Sequence, residues 1–69
     1  MIVCTLKSLL AARGLSQRAL ARRIRVHRRT IARLCSDDWL LINRYILESI
    51  CLELRITPQQ LLVWEKEDN

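Results

Sequence analysis

The sequence predicts an all-α, compact five-helix domain, and three observations carry that expectation. Five polar residues stand where a helix N-cap is wanted, each with an apolar residue just before it and another four positions after it. Apolar residues between these starts recur at helical spacing. Strand periodicity is nearly absent.

The first helix starts at Thr5, clamped by Cys4 and Leu9, and carries the apolar stripe Leu6, Leu9 and Leu10. Gly14 ends it where a left-handed residue closes the last turn, and Leu15 behind it touches back onto the helix. The second helix, residues 16–24, starts at Ser16 between Leu15 and Leu20 and buries Leu20, Ala21 and Ile24. The third, residues 28–35, starts after His27, between Val26 and Ile31, and buries Ile31 and Leu34. Asn43, between Ile42 and Leu47, opens a fourth helix with the stripe Ile46, Leu47, Ile50, Cys51 and Leu54. Thr57, between Ile56 and Leu61, opens a fifth, with Pro58 at its first position and Gln60 placed to complete a capping box. Only the ends hint at strands. Ile2, Val3 and Cys4, and the run Leu61 to Trp64, are rich enough in β-formers to pair as a short ribbon.

Helices two and three are joined too tightly to run straight, and Ala21 is small enough to let them approach. That is the layout of a helix-turn-helix. At 51% hydrophobic, with one Gly and one Pro, residues 1–69 read as a single folded domain. A core this small commonly leans on a staple such as a partner chain.

Charge is divided along the chain. Residues 1–36 hold nine Lys and Arg and no acid; residues 37–69 hold three against seven Asp and Glu, within a net charge of +5. Such asymmetry points to a polyanionic partner for the first half. Stepping about 100° per residue from Arg28 places Ile31 and Leu34 near 300° and 240°, and Arg28, Ala32, Arg29 and Arg33 near 0°, 40°, 100° and 140°. One face packs inward, and the opposite face presents three arginines around a small alanine. Cations in a helix's first turn cost about 0.3 to 1 kcal/mol each against the helix dipole. Folding alone would favour acids at Arg28 and Arg29, so a ligand explains them better than stability does.

The run "LSQRALARRIRVHRRTIARL", residues 15–34, resembles the helix-turn-helix signature of the Cro/cI (lambda-repressor-like, Xre) DNA-binding proteins, at Ser16, Gln17, Leu20, Ala21, Ile24, Val26, Thr30 and Ile31. "LESICLELRITPQQLL", residues 47–62, resembles that family's fourth helix and the opening of its fifth. The resemblance implies a transcriptional regulator of prokaryotic or phage type with helix three as its recognition helix. It places Arg28, Arg29 and Arg33 at base-reading positions, and Ser16, Gln17, Thr30, Asn43 and Arg44 at phosphate contacts. Arg13, Arg18, Arg22 and Arg23 add phosphate affinity. Arginine pairs bidentately with guanine O6 and N7, so G-containing half-sites are expected. Departures from the pattern are Arg25 and Arg55, where Gly is usual and a side chain costs about 1 kcal/mol, and His27, where Ser or Thr is usual. Asp37 and Asp38 stand in a loop that is commonly basic, and such acids repel phosphate.

Other chemistry is poorly served. Cys4, Cys35 and Cys51 show no paired spacing with each other or with His27, so neither a disulfide framework nor a metal site is expected. No nucleophile-and-base pair or glycine-rich phosphate loop is evident, which argues against an enzyme, a cofactor or a small-molecule substrate. Short apolar runs broken by Lys7 and Arg13 do not make a signal peptide or a membrane span, and a reducing cytoplasm is the expected location. A homodimer would supply the staple, with Trp64 buried against a second copy and two recognition helices about 34 to 36 Å apart on a palindromic operator. The alternative is a protein-interaction module, such as an antitoxin or adaptor, whose basic face binds an acidic protein.

Overall fold

The computed structural model describes residues 1–66; Glu67 and Asp68, counted in the acidic half above, lie outside the described residues. The elements run β1 (Ile2–Cys4), α1 (Leu6–Arg13), α2 (Gln17–Ile24), α3 (Arg28–Cys35), α4 (Arg44–Leu54), α5 (Pro58–Leu61) and β2 (Leu62–Trp64). The five expected helices are there, and the chain ends pair as the expected antiparallel ribbon, with Ile2 opposite Trp64, Val3 opposite Val63 and Cys4 opposite Leu62.

Each of the five polar starts occupies an N-cap. Ser16 Oγ accepts from Ala19 N–H at 3.0 Å, His27 Nδ1 from Arg29 N–H at 3.0 Å and Asn43 Oδ1 from Ile46 N–H at 2.8 Å. Gln60 Oε1 accepts from Thr57 N–H at 2.8 Å. Thr5 behaves differently. Its hydroxyl donates to the carbonyls of Gln60 at 2.7 Å and Leu61 at 3.2 Å, so it satisfies the open end of α5 instead of capping α1.

The helix ends explain how α1 to α4 fit into so short a chain. Gly14, Arg25, Asp37 and Arg55 all take left-handed backbone, with φ of 61°, 58°, 58° and 55°. After each, the next N–H reaches back five residues: Leu15 to Leu10, Val26 to Ala21, Asp38 to Arg33 and Ile56 to Cys51, all at 2.9 to 3.0 Å. At three of these corners the following residue (Leu15, Val26 or Ile56) packs against the core and also clamps the start of the next helix. A left-handed residue, an apolar clamp and an N-cap thus complete each corner in three residues. Arg25 and Arg55 keep the turn that glycine would make, and the strain is carried by their backbone. Replacing Arg55 with Gly is expected to raise stability by about 0.5 to 1 kcal/mol. Gly14→Ala should cost about 1 kcal/mol through φ alone, since a Cβ there meets no atom within 4 Å. Urea midpoints with unchanged slopes would register both shifts.

The core is built from Leu6, Leu20, Ile31, Leu34, Ile50 and Leu61, with Leu10, Ala21, Ile24, Cys35, Cys51 and Leu54 around them. α2 packs chiefly on α3, α4 packs against α2, and Ala21 of α2 is buried. Leu9, Ile46 and Leu47 sit at the margin, half-buried. Burial pushes the Cys4, Cys35 and Cys51 thiols up, keeping them protonated and inert as apolar filling. Among the described residues, no three His, Cys, Asp or Glu side chains cluster as a metal site.

Candidate nucleic-acid interface

α3 is held from one side only. Ile31 is 0% exposed and Leu34 2%, whereas Arg28, Arg29, Ala32 and Arg33 all face solvent. Among the described residues, the guanidinium groups of Arg28, Arg29 and Arg33 enter no ion pair and no intramolecular hydrogen bond. Three cations on one short helix that itself carries no acid repel one another, and an external anion would relieve that repulsion.

The helix rises between two depressions. One, between the start of α2 and the start of α3, is lined by Gln17, Arg18, His27, Arg28, Arg29 and Ala32. It brings two of the expected phosphate contacts beside two of the expected base readers. His27 joins them, a residue singled out in the sequence only as an unusual cap. Because its Nδ1 accepts from Arg29 N–H, the neutral ring carries its proton on Nε2. On the far side of α3, Thr30, Arg33, Leu34, Asp38, Trp39, Leu40, Leu41, Ile42 and Ile46 line the second depression. Asn43 and Arg44 begin α4 within that wall's sequence, between Ile42 and Ile46. Ser16 caps α2 one residue before Gln17.

Two expected phosphate-seeking arginines are otherwise engaged. Arg13 donates to Leu9 O at 3.3 Å and to Leu54 O at 3.0 Å, serving as a cationic cap on the carbonyl ends of α1 and α4. Arg23 meets Glu53 at 3.5 Å, an exposed pair worth at most about 1 kcal/mol. Asp37 turns out to be structural. Its Oδ1 accepts from Trp39 Nε1–H at 2.8 Å and from Cys4 N–H at 3.3 Å, pinning the loop after α3 to β1. Leu40 and Leu41 in this loop are large apolar residues 95% and 91% exposed; they follow no helical period, so nothing in the sequence marks their exposure.

Two short helices bent about a left-handed residue, the second showing an uncompensated cationic face, define a helix-turn-helix nucleic-acid-binding domain. The chain belongs to the family of Cro/C1-type helix-turn-helix DNA-binding domains, whose sequence pattern matches residues 5–67. It is also similar to the crystal structure of a candidate DNA-binding protein from Bacteroides fragilis, with 27% sequence identity and a TM-score of 0.78, covering 91% of this chain and 100% of that one. No curated protein matches the sequence. The family assignment makes this a DNA-binding domain of transcription-regulator type. No helix among the described residues is long and apolar enough to cross a membrane.

Proposed function

We propose that this protein is a sequence-specific regulator that binds double-stranded DNA as a cytoplasmic homodimer, with α3 lying in the major groove. The observation that carries this reading is the opposition on α3 of buried Ile31 and Leu34 to exposed, unpaired Arg28, Arg29 and Arg33. An α-helix with its side chains is about 10 to 12 Å across, a width that a major groove of about 12 Å admits. Arg28, Arg29 and Arg33 read base edges, chiefly guanine, and exposed Ala32 lets the helix approach closely. Gln17, Arg18, Thr30 and Arg44 hold flanking phosphates. The starts of α2 and α4 at Ser16 and Asn43 offer backbone N–H groups to others.

Fluorescence anisotropy tests this with duplex DNA from upstream of the protein's own gene and with the same bases scrambled, at several salt concentrations. The native duplex is expected to bind about 10³-fold or more tighter than the scrambled one. Log affinity for both should fall with log salt at about 0.9 per phosphate neutralised. Salt-sensitive binding with no preference between duplexes would leave only an electrostatic contact and remove the base-reading role.

A further inference from the structure

Two leucines in the loop after α3 stand in water for no reason that folding supplies. Trp39 and Ile42 both pack against the core, so Leu40 and Leu41 between them carry the chain round outside it. Serine, asparagine or glycine would turn there as well. Nor is the segment slack. Trp39 Nε1–H donates to Asp37 Oδ1 at 2.8 Å, Asp38 N–H to Arg33 O at 2.9 Å, and Asn43 caps α4. The leucines are therefore held out from a fixed frame, and large apolar side chains so held mark a contact surface.

What they border is concave. Leu34, Trp39, Ile42 and Ile46, buried or half-buried, form the apolar part of the depression on the far side of α3, with Leu40 and Leu41 at its rim. Thr30 and Arg33, both expected to touch DNA, line the same depression. A polyanion can engage Arg33, but it leaves the apolar hollow unfilled. An occupant that fills the hollow and also meets Arg33 carries acids and apolar groups together.

We propose that this depression docks an acidic amphipathic helix of another protein, which seats apolar side chains between α3 and the loop, pairs its acids with Arg33 and Arg44, and so excludes DNA. The exclusion rests on the DNA reading above; the docking does not. Charge selects the sign of the partner. Among the described residues Arg33 has no ion-pair partner, Arg29 lies one turn before it on α3, and exposed Arg44 opens α4 between Ile42 and Ile46. Asp38 is the one acid on the lining, and it fixes a point at which the docked helix presents none. Extent selects a protein over a small molecule. The depression, about 490 Å³, has the volume of a ligand pocket, yet Leu40 and Leu41 carry apolar surface past its rim, where only a longer partner covers it. Shape selects a helix over a bilayer, because a flat surface receives protrusions, whereas a hollow between a helix and a loop receives a helix ridge anchored at i, i+3 or i+4, and i+7. Trp and Arg are enriched among the side chains that carry most binding energy at protein interfaces, and Trp39 and Arg33 line this one hollow. A partner seated here holds a base-reading arginine, which makes it an antagonist of DNA binding.

Anisotropy tests the site with a fluorescein-labelled synthetic helix of about 18 residues, its leucines on one face at i, i+3, i+4 and i+7 spacing and glutamates elsewhere. It should bind the wild-type chain with a Kd of about 100 μM or tighter. Two controls should bind at least about 10-fold more weakly: the same leucine face with lysines for glutamates, and the same composition with leucines scattered round the helix. The double variant Leu40→Ser, Leu41→Ser, with helical circular dichroism unchanged, should lose at least about 10-fold for the acidic helix. Unlabelled acidic helix should displace a labelled duplex from the wild-type chain. Equal binding of the scattered control, undiminished binding by the double variant, no binding up to about 1 mM, or a ternary complex of helix and duplex would overturn the proposal. So would binding to vesicles of phosphatidylglycerol and phosphatidylcholine in equal parts, or self-association, that the double variant loses while the acidic helix fails to bind; the patch would then belong to a membrane or to a second copy. If no duplex binds, the DNA reading fails on its own, while the peptide measurement still decides the site.

Discussion

Replacing Arg29 or Arg33 with alanine is expected to cost about 1 to 3 kcal/mol of affinity for the preferred duplex, and the double replacement on the order of 10³-fold, while scrambled DNA is affected far less. Each single change should also relax preference at one base pair. The two side chains sit one helical turn apart on the solvent face of α3 and are bound by nothing else among the described residues. Folding should respond in the opposite direction. Arg29 lies in the first turn of α3 beside Arg28, where both the dipole and its neighbour disfavour a cation, so Arg29→Ala should leave the domain equally stable or more stable by about 0.3 to 1 kcal/mol. Gains in thermal midpoint coupled to losses in specific affinity mark a residue kept for a ligand. Arg18→Ala supplies the contrast, because a phosphate contact weakens all duplexes alike. Anisotropy on matched and scrambled duplexes, beside thermal melts of the free proteins, separates these cases. Equal loss on both duplexes for Arg29→Ala and Arg33→Ala would refute their assignment as readers.

How much of this was legible in the sequence depends on whether a feature is local. The N-cap and its two apolar clamps are decided within six residues, which is why Thr5, Ser16, His27, Asn43 and Thr57 all mark helix starts. The burial of Ile31 and Leu34 against exposed arginines follows from helical period alone. Among the left-handed corners, Gly14 was legible from its residue type, Arg25 and Arg55 only through the family resemblance, and Asp37 not at all. Arg25, Asp37 and Arg55 take the same backbone without glycine's freedom, held there by the five-residue hydrogen bonds and by the apolar residue packed after the turn in two of the three. Apart from the ribbon of the chain ends, contacts between distant segments were beyond reach. Arg13 looks like any surface cation until α1 and α4 bring Leu54 O to it, and Asp37 reads as a phosphate-repelling loop acid until β1 presents Cys4 N–H. The two depressions flanking α3 belong to this second kind, since each gathers residues from separate helices or loops.

Ile31→Ala should remove about 2 to 5 kcal/mol of stability. A 69-residue domain has only about 3.5 to 10 kcal/mol to lose. Ile31 is fully buried, follows the clamp formed with Val26 at the start of α3, and is one of three buried residues holding that helix to the rest, with Leu34 and Cys35. Truncation leaves a cavity under the helix, and neighbours as constrained as Leu20 and Ile50 have little freedom to fill it. At about 4 to 8 °C per kcal/mol for a domain of this size, the melting midpoint should fall by roughly 8 to 40 °C. Ile31→Val, which keeps most of the volume, should cost only about 0.5 to 1.5 kcal/mol. DNA binding by Ile31→Ala ought to follow the folded fraction: weak when warm, recovering on cooling or on adding excess duplex, because a ligand that binds only the folded state stabilises it. Arg29→Ala should show no such recovery, since its loss lies in the contact itself. A melting curve for Ile31→Ala within 2 or 3 °C of the wild type, corresponding to under about 1 kcal/mol, would mean that α3 is not anchored through Ile31, and the arginine face would lose the rigid support that the reading requires.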